Sequence, residues 1–269
     1  MRTRNVRPSP LFLGLIAATI AGGALTILDN KFAYTAGVVI LVLGGWAVSL
    51  CLHEFGHAYT AFRGGDYEVR AKGYLSLDIR RYTDPVFSIV LPVLFLLIGG
   101  IPLPGGAVWL NRHAMRNKRV QSWVSLAGPL TNLAIGVLLI VAVRVFFDPS
   151  LVETTRIGNT TYVAPDPSTS ILAAGLSYLA FLQIFAFVLN ILPLPGLDGW
   201  GAIEPWLSYQ AKAFGAKARP WAPLILFAVL LGIPQVGSAF SDLIDSAFRA
   251  IGGQAGYSAF GQLTFKFWN

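Results

Sequence analysis

The chain has 269 residues, 55% of them hydrophobic and 12% charged, with mean hydropathy +0.62. Soluble domains carry about 25% charged residues, so the balance excludes an ordinary soluble enzyme and predicts an all-α polytopic membrane protein in the lipid bilayer. The net charge of +7 is the Lys/Arg excess expected on cytoplasmic loops, not a nucleic-acid footprint; the single cysteine, Cys51, rules out an intrachain disulfide and a multi-cysteine zinc site.

A basic start (Arg2, Arg4, Arg7) leads into an apolar run over 11–28. That run has about the length of a full span and reads as an uncleaved first helix rather than a signal peptide. A polar turn, Asp29-Asn30-Lys31, separates it from a second span over 35–58. Residues 37–52 hold no charge, and they end in His53-Glu54-Phe55-Gly56-His57. Residues four apart share a helix face. His53 and His57 can therefore turn their imidazoles to one ion, with Glu54 in reach of its bound water, as in a zinc metalloprotease. A charged Glu in an apolar span is costly and marks function.

Arg63-Gly64-Gly65-Asp66 breaks this helix. The alternation over 68–81 then predicts a small membrane-associated β element of one or two strands. Either it is a surface hairpin, or Tyr74, Leu75, Ser76 and Leu77 offer an edge to an extended substrate. Asp84-Pro85 opens an apolar run over 86–101 with Pro92 inside, short for a span, which either re-enters or crosses as a broken segment. A basic loop over 111–119 follows, in which His113 is a solvated side chain. The span over 120–147 contains Ser125-Leu126-Ala127-Gly128-Pro129-Leu130-Thr131-Asn132. Small residues there permit close helix contact, and a polar one faces the interior. Asn132 either donates to a developing oxyanion or bonds a neighbouring helix.

The polar stretch 148–170 has no span and is too short for an inserted folded domain. The span over 171–192 runs into Asn190 through Gly199, where Pro193, Pro195 and Gly196 unwind the chain and leave Asp198 on irregular backbone. Residues 200–218 read as interfacial. The run 221–233 is apolar and broken by Pro234. The stretch 238–251 either continues that span or lies on the surface, because Asp242, Asp245 and Arg249 interrupt it. The total is about six membrane segments.

The Lys/Arg bias sets orientation. With Arg2, Arg4 and Arg7 cytoplasmic, the second span runs inward. Arg63, Arg70, Lys72, Arg80 and Arg81 then share that side with Arg112, Arg116, Lys118 and Arg119, provided 86–101 is re-entrant or a paired half-helix. The His-Glu-x-x-His, Gly-Pro-Leu-Thr-Asn and Leu-Asp-Gly motifs all fall at the cytoplasmic end of their spans. A catalytic zinc takes three protein ligands and one open position. Asp198 is the best-placed third ligand, Glu204 is second, and Asp84 is third and more readily caps the segment after it.

These three motifs, in this order and spacing over roughly 35–200, resemble the site-2 protease family of intramembrane zinc metalloproteases. The resemblance implies a single domain holding one Zn2+ on His53, His57 and Asp198. Glu54 would be the general base, and Asn132 would lie near the oxyanion. It implies cleavage within or beside the transmembrane helix of a membrane-anchored regulator, such as an anti-sigma factor, already trimmed by an upstream site-1 protease. It further implies a bacterial or archaeal cell membrane, on which the Lys/Arg bias puts the N-terminus and active site at the cytoplasmic side. The 148–170 stretch has no room for a PDZ domain, so the resemblance is to the compact form. Two other readings stay open: a membrane zinc protease using Glu204 in place of Asp198, and a protein that is no enzyme, either a metal-binding transporter or a non-cleaving substrate-binding relative.

Overall fold

The computed structural model describes residues 8–82, 110–147, 152–157, 160–165 and 171–268. Arg2, Arg4, Arg7, Asp84 and the run 86–101 lie outside them.

Helix α1 (Pro10–Leu25) starts on Ser9, whose hydroxyl accepts the Phe12 amide. Helix α2 (Lys31–Gly64) is capped by Asn30 at its start and ends at Gly65, where φ is +121°. Its 34 residues run about 51 Å at 1.5 Å per residue, well beyond a hydrocarbon core of about 30 Å. The two helices meet on glycines. A Cβ on Gly22 would fall 2.5 Å from the Leu41 amide, and one on Gly37 would fall 2.8 Å from the Gly22 carbonyl.

After α2 come a short helix α3 (Glu68–Ala71) and the 3-10 turns Tyr74–Ser76 and Ile79–Arg81. This corrects the β element predicted near 68–81. Gly73 and Leu77 both have positive φ, +75° and +54°, which breaks an extended run. Asp78 then accepts the Arg80 amide and caps the second turn. The alternation misled because Tyr74, Leu75, Leu77, Asp78 and Ile79 are all buried, on both faces of the would-be strand. The segment lies against α2, with Tyr74, Leu77 and Ile79 sharing one core with Cys51. Tyr82 ties it together: its hydroxyl donates to the Tyr74 carbonyl.

The strands lie elsewhere. β1 (Val152–Ile157) and β2 (Thr160–Pro165) pair antiparallel, Val152 opposite Pro165 and Ile157 opposite Thr160. Their Val, Thr, Ile and Tyr content suits a pleated ladder, which the hydropathy of 148–170 did not reveal.

Helix α4 (Lys118–Phe146) is capped by Asn117, and α5 (Ile171–Asn190) precedes the proline-broken stretch. Then come α6 (Asp198–Ile203), α7 (Tyr209–Ala218), α8 (Ala222–Gly232), α9 (Pro234–Ala250) and α10 (Ala255–Phe265). Helix α2 packs on α1, α4, α5 and α10, and the main core runs from Phe12 and Val38 through Trp46 to Tyr178 and Phe265. A second core joins Ile140, Ile184, Phe185, Phe227 and Phe248.

Among the described residues α2, α4 and α5 are long and apolar enough to cross a membrane; α8 with α9 makes a fourth span if the pair is one element. Pro234 bends that pair by 100°, as the break in the sequence predicts. Leu138, Val141 and Val145 on α4 are exposed, which suits a lipid-facing surface. The protein is an integral membrane protein.

Candidate metal centre

His53, Glu54 and His57 are buried on the C-terminal half of α2. Asp198 opens α6, brought back toward α2 by the turn through Pro193, Pro195 and Gly196, the last at φ +98°. Three side chains thus converge from two elements far apart in sequence. The Nε2 atoms of His53 and His57 are 3.1 Å apart. Asp198 Oδ2 is 3.2 Å from His53 Nε2, and Oδ1 is 3.4 Å from His57 Nε2. Tetrahedral ligands about 2.0–2.1 Å from a zinc ion sit about 3.3 Å from one another, so the donor set and its spacing fit zinc. Burial alone would raise the Asp198 carboxyl, but the imidazoles of His57 and His53 outweigh it and hold the group below the usual carboxylate range.

The far nitrogens of both rings are engaged. His57 Nδ1 donates to the Val124 carbonyl at 2.7 Å, and His53 Nδ1 lies 3.1 Å from Asn132 Oδ1. A carbonyl only accepts, so Nδ1 of His57 carries the proton and Nε2 keeps its lone pair for a metal. Both partners come from one stretch of α4 around Pro129. Proline removes the N–H that the Ser125 carbonyl would take and loosens that turn, and Val124 is the residue just before. Asn132, predicted at the oxyanion or between helices, thus bridges α4 to α2.

Gly128 carries a role that sequence reasoning missed. A Cβ there would lie 2.3 Å from His57 Nε2 and 2.5 Å from His53 Nε2. Any side chain at 128 would occupy the space where the ligand atoms meet. Gly56 does the same for the helix contact, since a Cβ would fall 2.8 Å from Thr131 Oγ1. The signal available in the sequence was a glycine beside a proline inside an apolar span.

Other predicted residues lie apart from this cluster. Glu204 pairs with Arg112, and it is not among the grouped ligand atoms of His53, His57 and Asp198. Tyr74, Leu75 and Leu77 are buried, and the Ser76 carbonyl accepts the Ser9 amide at 2.8 Å. These four residues form a packed turn and not an open edge, which corrects their assignment as a substrate-pairing strand. Tyr82 stands near Cys51 and Glu54 of α2: its phenol is pushed far above its ordinary value first by burial, and also by those neighbours.

The chain is 44% identical to a Mycobacterium tuberculosis protein named zinc metalloprotease Rip2, over 98% of this chain and 96% of that one. It is 45% identical to the Mycolicibacterium smegmatis protein of the same name, over 99% and 96%. The zinc metalloprotease YwhC of Bacillus subtilis is 30% identical over 77% of this chain and 87% of its own. The chain belongs to the site-2 protease family. As a member of that family of zinc metalloproteases it takes Zn2+, and the group formed by His53, His57 and Asp198 suits that ion. It is a compact site-2 protease, with only a short connection between α4 and α5 where a PDZ domain would need to fit. No family model matches the chain, and no solved structure matches it.

Proposed function

We propose that this site-2 protease hydrolyses a peptide bond within or beside the transmembrane segment of a membrane-anchored regulatory protein. One observation carries the proposal: two buried histidines on a helix long enough to cross a bilayer meet the half-buried Asp198 at zinc spacing, with Glu54 one residue from His53. When bound, zinc supplies the Lewis acidity that brings a water toward a pKa of about 7 and polarises a carbonyl. His53, His57 and Asp198 hold the ion. Glu54 takes a proton on its carboxylate and later delivers it to the leaving amine. Asn132 keeps His53 oriented through its amide oxygen, and its amide nitrogen is the donor for the carbonyl oxygen that gains charge.

The Lys/Arg distribution supports a cytoplasmic centre and a cytoplasmic N-terminus. Arg63, Arg70 and Lys72 follow the metal-binding end of α2, and Lys212, Lys217 and Arg219 follow α6. The substrate is then a single-span regulator of the anti-sigma-factor type, shortened beforehand by a site-1 protease.

The test is a pair of variants on purified protein. Glu54→Gln should retain zinc and lose cleavage of a membrane-anchored reporter. Asp198→Ala should lose both. Full activity in Glu54→Gln, or undiminished zinc in Asp198→Ala, contradicts the assignment.

A further inference from the structure

We propose that Arg112 and Glu204 are positioning residues for the metal ligand Asp198: their ion pair clamps α6 onto the end of α2 and the start of α4. The inference rests on the reading that Asp198 holds the zinc.

Helix α6 has six residues, Asp198–Ile203, too few to persist without tertiary support. The chain reaches it through Pro193, Pro195 and Gly196. One flank is tightly packed. A Cβ on Gly199 would fall 2.1 Å from the Ile191 carbonyl oxygen, and one on Gly201 would fall 2.6 Å from Ser125 Oγ. The other flank is looser: Trp200 meets Gly215 of α7 there, but Leu197 and Trp200 also border a cavity of about 200 Å³ that Arg112 and Glu204 line. Packing therefore restrains α6 less fully on the cavity side than on the other.

Polar ties supply the remaining restraint. The Arg112 guanidinium grips the Glu204 carboxylate just past the C-terminus of α6. The Ser122 hydroxyl donates to the Ala202 carbonyl at 2.6 Å and accepts the Trp206 indole N–H at 2.9 Å. The loop bearing Arg112 is anchored in turn. Gln121 Nε2 donates to the Arg112 carbonyl at 2.9 Å, and the Asn111 amide donates to the buried Asp66 carboxylate at 2.7 Å. Asp66 stands two residues past the end of α2, the helix that carries His53 and His57. A continuous set of ties thus runs from the helix with two ligands, through Asn111 and Arg112, to the element with the third. Ligand atoms must be held within about 0.5 Å of productive geometry, and partners behind a metal's ligands are worth about 10–100-fold in affinity.

The experiment is zinc affinity by chelator competition on the full-length protein in detergent, with thermal unfolding of the metal-free forms alongside. Arg112→Glu and Glu204→Arg should each weaken zinc binding about 10-fold or more. The double swap, Arg112→Glu with Glu204→Arg, should recover most of that loss while metal-free unfolding stays near wild type. Glu204→Gln, which keeps shape and removes charge, should show an intermediate loss and covers the case in which a reversal does not fold. Wild-type affinity in Glu204→Gln, or no recovery in the folded double swap, overturns the clamp. Asp198→Ala separates the two layers. If it binds zinc as wild type does, the ligand reading itself fails; if it loses zinc while the clamp variants do not, only the clamp fails.

Discussion

Gly128 is where a single atom decides the centre. Its Cβ would intrude between the two Nε2 atoms, so Gly128→Ala should drop bound zinc from about one per chain toward none by metal analysis, with the helical circular dichroism unchanged. Asn132 separates two roles in one side chain. Asn132→Leu removes the partner of His53 Nδ1 and should weaken zinc about 10–100-fold in chelator competition. A lower kcat with undiminished zinc would assign Asn132 to the transition state alone. His53 and His57 were legible in the sequence because spacing by four fixes a shared helix face before any fold is known. Asp198 was legible because few acids lie among apolar segments. Gly128 was not, because its value is empty space against imidazoles from a different helix, and no local pattern records that.

At the scale of elements, the segment from Gly73 to Tyr82 shows what a period of two can conceal. It reads as a strand when Leu75, Leu77 and Ile79 alone are counted. The tyrosines and Asp78 are buried with them, and the left-handed backbone at Leu77 turns the chain. Asp78 holds this turn through Arg80, whose Nε and guanidinium nitrogen reach its two oxygens at 2.9 and 2.8 Å. The hydrogen bond from Arg80 lowers the Asp78 pKa despite burial. A carboxyl with a depressed folded pKa stabilises above its unfolded value of about 3.9, and that contribution fades as pH falls through the lower folded value. Thermal unfolding of wild type and Asp78→Asn should therefore differ above about pH 4 and converge in stronger acid. A gap that stays constant or widens on acidification would count against the turn's dependence on Asp78. The β1–β2 hairpin was missed for the opposite reason, since a polar stretch between spans offers no hydropathy contrast.

For the whole molecule, hydropathy located the three long spans α2, α4 and α5, because uncharged runs of this length have few other uses, but of the six segments expected the described residues show three, or four if α8 and α9 are one. Hydropathy could not say how the spans meet. That depends on glycine contacts such as Gly22 with Gly37, on the bend at Pro234, and on polar ties such as the bond the Asn111 amide donates to Asp66. The consequence is a centre assembled at one end of α2 by α4 and α6, in a protein whose long helices are apolar. The most direct test of this account is to map the bond cut in a single-span substrate co-reconstituted with the protein in liposomes, by mass spectrometry of the fragments. The account predicts a cut inside or beside the substrate's span, abolished by zinc removal and restored by zinc. Cleavage confined to the substrate's soluble portion, or unaffected by stripping the metal, would contradict it.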